Sequence, residues 1–258
     1  MTFFITRRRL LIGSAAGLGA IGLTGCDDLS ENPNVRNVLD MAENLTMKSQ
    51  RLLVPKDRLA REFSQADLSP VFRSNGTSQP DSEEYARLSE TGFADWRLKI
   101  DGMVERPVEL SLAELKKLPS RTQITRHDCV EGWSAIGKWT GAPLGPILQS
   151  VGLKPGVRYA VFYCADQLEQ TLDGSGTYYE SIDLIDAFHP QTILAYSLND
   201  KDLDVPHGAP LRLRVERQLG YKHAKYLMRL EIRDSFAGIW GGKGGFWEDR
   251  GYEWYAGI

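Results

Sequence analysis

Apolar and polar residues alternate along Trp96-Arg97-Leu98-Lys99-Ile100-Asp101, the period of a strand with one buried face, and Asp101-Gly102 ends the run as a turn. Upstream, Val35, Val38, Leu39, Ala42 and Leu45 recur at helical spacing and predict an amphipathic arm over Asn34 to Leu45. Ser111 with Glu114 three residues later forms a capping box for a short helix that stops before Pro119. Further strands are expected at 121–127, 158–164, 192–197, 210–216 and 225–233. Helices are expected at 143–151, with Pro143 in the first turn, and at 181–188, capped by Ser181. Residues 70–90 are rich in Ser, Asn, Gly, Pro and acids and read mostly as loop. Strands and short helices mix without a regular βαβ alternation, so the expected fold class is α+β, with mixed sheets.

Charge adds a boundary to this pattern. The 258 residues carry a net charge of −3, but residues 1–25 hold Arg7, Arg8 and Arg9 and no acid, which leaves −6 on the remainder. An acidic body argues against nucleic acid as a partner. Thr6 to Leu11 is a twin-arginine pattern, and Ile12 to Leu23 is an apolar stretch too short for a membrane span of about 20 residues. It runs into Leu23-Thr24-Gly25-Cys26, which resembles a bacterial lipoprotein signal with lipidation at Cys26. Asp27 behind that cysteine resembles an inner-membrane retention signal. The expected organisation is a signal at 1–25, a tether and helical arm at 26–69, a single domain at 70–235 and a Gly/aromatic tail at 236–258. The protein is expected on the periplasmic face of the inner membrane, exported folded and held by a lipid anchor. Gly241-Gly242-Lys243-Gly244-Gly245 lacks the GxxxxGK[ST] arrangement and reads as flexible surface tail.

Of three cysteines, Cys26, Cys129 and Cys164, the second sits in His127-Asp128-Cys129-Val130-Glu131-Gly132-Trp133, among a histidine, acids and tight glycines. It could be a nucleophile, half of a disulfide with Cys164, or a metal ligand. On an extended segment, His127 and Cys129 share a face and Asp128 takes the other. A Cys-His hydrolase also needs an oxyanion hole and an orienting residue, which no motif here locates. A structural zinc site needs about four ligands, and the histidines at 127, 189, 207 and 223 show no paired spacing.

Arg126-His127-Asp128-Cys129-Val130-Glu131-Gly132-Trp133-Ser134, followed by Trp139-Thr140-Gly141-Ala142-Pro143-Leu144, resembles the core motif of the sulfite oxidase family of molybdopterin-dependent oxidoreductases. The resemblance continues through Ala195 to Asn199, His207 to Arg212 and Gly220 to Lys225, and covers about residues 70 to 235. Within that family it is similar to the bacterial, twin-arginine-exported catalytic subunits of periplasmic sulfoxide reductases. The resemblance implies a molybdopterin-binding fold and a molybdenum-dependent enzyme, with Cys129 as the catalytic residue and the only protein ligand to molybdenum. It implies cofactor contacts from Arg73, Ser74 and Asn75, from His207 and Arg212, and from His223, Ala224 and Lys225. Cys164 is placed near the pterin without being a ligand, and Trp133 and Trp139 are expected in packing around the cofactor.

The resemblance has limits. The immunoglobulin-like dimerisation domain of eukaryotic relatives and a CxxCH haem motif are not found, so a monomer is expected that exchanges electrons with a membrane cytochrome of the b type. The expected reaction is two-electron oxygen-atom transfer on a small-molecule substrate: an S-oxide, an N-oxide or a sulfite-like anion, with the direction open. The rival expectations are a non-catalytic envelope lipoprotein with the same fold and a thiol hydrolase built on Cys129.

Overall fold

The computed structural model describes residues 32–258, so the twin-arginine pattern, the apolar stretch and Cys26 lie outside the described residues. The chain divides into two compact units between Leu52 and Leu53. In the first, helix α1 (Pro33–Leu53) is longer than the arm its periodicity predicts. Proline in its first turn loses no hydrogen bond, and the Asn32 side chain accepts the Asn34 amide at 2.9 Å. No described helix is long and apolar enough to cross a membrane.

The second unit is built on two sheets. In the first, β1 (Arg97–Gly102), β2 (Val108–Ser111), β5 (Tyr159–Gln167), β6 (Thr177–Asp183) and β10 (Leu227–Arg233) lie in the order β2-β1-β10-β5-β6, with β1 and β10 parallel. In the second, β3 (Arg121–Cys129), β4 (Trp133–Pro143), β7 (Ile193–Leu198) and the short β8 (Lys201–Asp202) follow one another, and β9 (Arg212–Arg214) also pairs with β7. Short helices α2 (Glu83–Glu90), α3 (Leu112–Lys117), α4 (Leu144–Val151) and α5 (Leu184–Ala187) connect them. The architecture is α+β, as the mixed pattern predicts. β1 buries Leu98 and Ile100 and exposes Arg97 and Lys99, the alternation read from the sequence. The Ser111–Glu114 capping box is present at α3.

Three expectations change. Residues 181–188 do not form one helix: Ser181 is buried on β6, and Asp183 caps a helix of four residues. The aspartate side chain accepts the Asp186 amide at 2.9 Å, whereas the Ser181 hydroxyl is spent on the Gly244 carbonyl. Pro143 ends β4 and stands at the cap of α4, one residue before the first turn. Within the supposed loop at 70–90, Ser82 caps α2, which buries Tyr85 and Leu88.

Candidate active site

Cys129 is the last residue of β3 and pairs with Trp133, the first of β4, across the loop Val130-Glu131-Gly132. Gly132 has φ +85°, the left-handed conformation that closes a three-residue hairpin. The hairpin tip opens into a cavity of 260 Å³ that also receives Asn75, Thr77, Asp166, Tyr178, Tyr221, His223, Lys225, Trp247 and Tyr252. Of the residues expected in the site, Asn75, Cys129, His223 and Lys225 therefore converge on one wall system. Cys129 and Cys164 are both free thiols, which removes the disulfide. Burial pushes both thiols up, and the carboxylate of Glu131 adds to the effect at Cys129. Among the described residues no three His, Cys, Asp or Glu side chains gather to hold a metal.

The inner face of β3 is polar. Gln123, Thr125 and His127 are buried. The Gln123 amide donates to Glu216 at 2.9 Å, and Arg214 spans from Glu216, at 2.6 and 2.9 Å, to Nδ1 of His127 at 2.9 Å. Since a guanidinium only donates, His127 Nδ1 accepts, and burial with nearby Arg214 holds this ring neutral. Its Nε2 then carries the hydrogen, and it has no partner. At His223 the arrangement is reversed. Nε2 donates to the Gln218 carbonyl at 3.0 Å, burial again keeps the ring neutral, and Nδ1 is an acceptor without a partner.

Lys225 donates to the carbonyls of Asn75 at 2.6 Å, Pro206 at 3.0 Å and Thr77. Burial, and after it the charge of Arg212, lowers its ammonium to about 7. Arg212 itself is fully buried beside Trp139, its guanidinium 5.0 Å from the ring centroid, and donates to the carbonyls of His207 and His223 at 3.1 and 3.3 Å. Its Nε is unpartnered, and burial with Arg214 lowers it to about 9. His207 does not line the cavity: its ring nitrogens meet Asp204 at 2.5 Å and the Phe72 carbonyl at 2.9 Å. Ser74 donates to the Pro206 carbonyl at 2.6 Å, and exposed Arg73 sits over Trp133 at 5.4 Å. Ala224 and Cys164 are buried without lining the cavity.

Several wall residues escape a reading by motif. Asp166, two places beyond Cys164 on β5, is buried with an unpartnered Oδ1, and burial raises its carboxyl to about 6. An acid directly after the apolar run Tyr159 to Ala165, still on the strand, is the available signal. The tail is a second case. Phe246, Glu248 and Ala256 are buried, the Phe246 amide donates to the Tyr179 carbonyl at 3.0 Å, and Trp247 stacks on Tyr252 at 5.2 Å along the cavity. Residues 239–256 are thus packed against β6 and the cavity instead of forming a flexible surface tail. Buried Lys222 pins this segment by donating to Glu248 at 2.5 Å and to Glu180 of β6.

The sequence model of the oxidoreductase molybdopterin binding domain matches residues 86–240. The chain belongs to this family. It is 35% identical over 251 residues to "Putative protein-methionine-sulfoxide reductase subunit YedZ1" of Azospira oryzae, across 97% of this chain and 87% of the relative. To the protein-methionine-sulfoxide reductase catalytic subunit MsrP of Xanthomonas axonopodis pv. citri it is 31% identical over 232 residues, across 87% and 69%. Among solved structures, sulfane dehydrogenase SoxCD of Paracoccus pantotrophus aligns with a TM-score of 0.48 at 25% identity, over 54% of this chain and 38% of that one. The protein is a molybdenum-dependent oxidoreductase of sulfite-oxidase type, and its cofactor is molybdenum-molybdopterin.

The molybdopterin oxidoreductase's own walls fit that cofactor. A pterin ring carries several N–H donors, and Asn75, Asp166 and His223 each bring an unpartnered buried acceptor to the cavity. A phosphate needs a cation, which Lys225 brings to the wall, while buried Arg212, with its Nε unpartnered, lies behind it without lining the cavity. Buried polar atoms left without partners cost about 1–3 kcal/mol each, so a set of them around one cavity marks where a polar ligand belongs.

Proposed function

We propose that the enzyme works in the reductive direction, on sulfoxides, with methionine sulfoxide carried by proteins as its substrate. The reaction consumes a sulfoxide, a pair of electrons and a pair of protons; the sulfur–oxygen bond breaks, and a thioether and a water molecule are released. The observation that carries this reading is the opening of the Cys129 hairpin tip into a cavity of unpartnered polar atoms, in a chain whose relatives bear sulfoxide-reductase names. The bound cofactor supplies the two-electron oxygen-atom exchange. Cys129 would hold molybdenum as its single protein ligand, in the thiolate form that metal ligation requires. Asn75, His223 and Lys225 hold the pterin and its phosphate directly. Arg73, Ser74, His207, Arg212 and Ala224 shape the segments that present them, and Cys164 backs β5 beside Asp166. The carboxyl of Asp166, raised to about 6, takes up a proton at the cavity wall on the acid side of neutrality. The rings of Tyr221, Trp247 and Tyr252 suit a thioether, which packs favourably against aromatic edges.

In this reading the protein is exported by the twin-arginine route, lipidated at Cys26, monomeric, and supplied with electrons by a b-type cytochrome of the inner membrane. The sequence motif at Leu23 to Cys26 supports the anchor. Protein purified from a molybdopterin-competent host is expected to hold one molybdenum per chain and to reduce methionine sulfoxide with a reduced viologen dye. Cys129→Ser abolishes both properties. Protein without molybdenum would favour a non-catalytic module, and sulfite oxidation without sulfoxide reduction would reverse the direction.

A further inference from the structure

Helix α1 presents an apolar face with no partner among the described residues of its own unit. At about 100° per residue, Val35, Val38, Leu39, Met41, Ala42, Leu45, Leu52 and Leu53 fall within an arc of roughly 160°. The larger of these are open to solvent: Val38 by 63%, Leu39 by 58%, Met41 by 71% and Leu45 by 66%. Asn34 and Ser49 are exposed polar interruptions, whereas Thr46 spends its hydroxyl inside the helix by donating to the Ala42 carbonyl at 2.9 Å. A stripe of large apolar side chains left in water is unfavourable at about 25 cal/mol per Å², so something covers it.

We propose that α1 is a membrane-interface helix, lying flat at the boundary of headgroups and acyl chains with this stripe turned into the bilayer. Three observations choose lipid as the occupant. The helix has 21 residues, enough length to cross, yet it is not apolar enough to do so, which leaves the plane of the interface. Pro33 is the seventh residue after Cys26, so a lipid on that cysteine would keep the helix start within about 25 Å of the surface. Finally, Lys48, Arg51, Lys56, Arg58 and Arg61 follow along the helix end and beyond it against a single acid, Asp57, which suits anionic headgroups. The second of these rests on the lipid-anchor reading given above. The helix would then add a second point of attachment to the membrane beside the acyl chain.

The test uses cofactor-loaded mature protein with Cys26→Ser, so that no acyl chain contributes, and vesicles of phosphatidylethanolamine and phosphatidylglycerol. The protein is expected to sediment with the vesicles. In a Val38→Trp version, the added tryptophan emission moves to the blue on lipid addition. A Leu39→Asp/Leu45→Asp version is expected to partition at least tenfold less while its molybdenum content and viologen-linked sulfoxide reduction stay unchanged. If the Cys26→Ser protein stays in the supernatant while acylated protein binds, the anchor stands and the helix inference is overturned. Absence of the acyl chain from native protein by mass spectrometry defeats the anchor alone, because vesicle binding is read without it. Binding only to membranes that contain the cytochrome, or lipid-free dimerisation that shifts the Val38→Trp emission, overturns the inference in favour of a protein partner or a second copy.

Discussion

Gly220 shows how tightly single residues set this site. A Cβ there would stand 2.5 Å from His127 Nε2 and 3.2 Å from the Asp128 carbonyl, under the hairpin that ends in Cys129. Gly220→Ala is expected to lower stability by about 1–3 kcal/mol by overpacking and to reduce molybdenum content, measured by thermal melting and metal analysis. Lys225 yields a pH dependence whose sign is fixed by its lowered ammonium, about 7 against an ordinary 10.5. Between those values the unfolded chain binds more protons than the folded one, so stability rises with pH across this window. Cofactor-free protein should therefore gain stability from pH 7 to 9 by an amount that Lys225→Met removes. Asp166 acts the other way: with its carboxyl raised from 3.8 to about 6, stability falls as pH rises through that interval and the full penalty persists above it. Asp166→Asn is expected to stabilise cofactor-free protein by about 1–3 kcal/mol at pH 8 and not at pH 4, read from denaturant melts. Cys129, His223 and Lys225 were legible because motifs name them. Asp166 and Lys222 were not, because their importance comes from burial, which a local sequence does not display.

At the scale of elements, the legible ones were those with local signatures: the alternation of β1, the capping box of α3 and the periodicity of α1. Strand β4 was missed for a physical reason. Its buried positions include Ala135, Gly137 and Gly141, and glycine in a sequence normally signals a turn. Here the glycines permit close approach. A Cβ on Gly141 would lie 2.2 Å from the Leu194 carbonyl of β7, and one on Gly137 would lie 2.9 Å from Phe72 and Leu198. The tail was misread because GGKGG is flexible in isolation, and its fixation depends on Lys222 and Glu180 far away in sequence. Lys222→Met leaves two buried carboxylates facing each other without a cation, and is expected to cost about 3–5 kcal/mol in denaturant unfolding. Adding Glu248→Gln should recover part of that loss, since the remaining carboxylate no longer faces a like charge.

On the scale of the whole molecule, the α+β class and the family followed from spaced motifs, whereas the pairing of β1 with β10 and the route of the tail followed from long-range contacts that no short pattern encodes. Because residues 239–256 contribute to the core and the cavity wall, removal of everything after 235 is expected to yield protein that neither melts cooperatively nor retains molybdenum; calorimetry and metal analysis check this. The wall also has an order in time. Asn75 and Cys129 leave the ribosome early, and Trp247 and Tyr252 leave it after every other wall residue. The cavity consequently acquires its last side only after both sheets have been translated, so a pterin delivered to the growing chain would meet an open trough, and only one delivered to the finished chain would be enclosed.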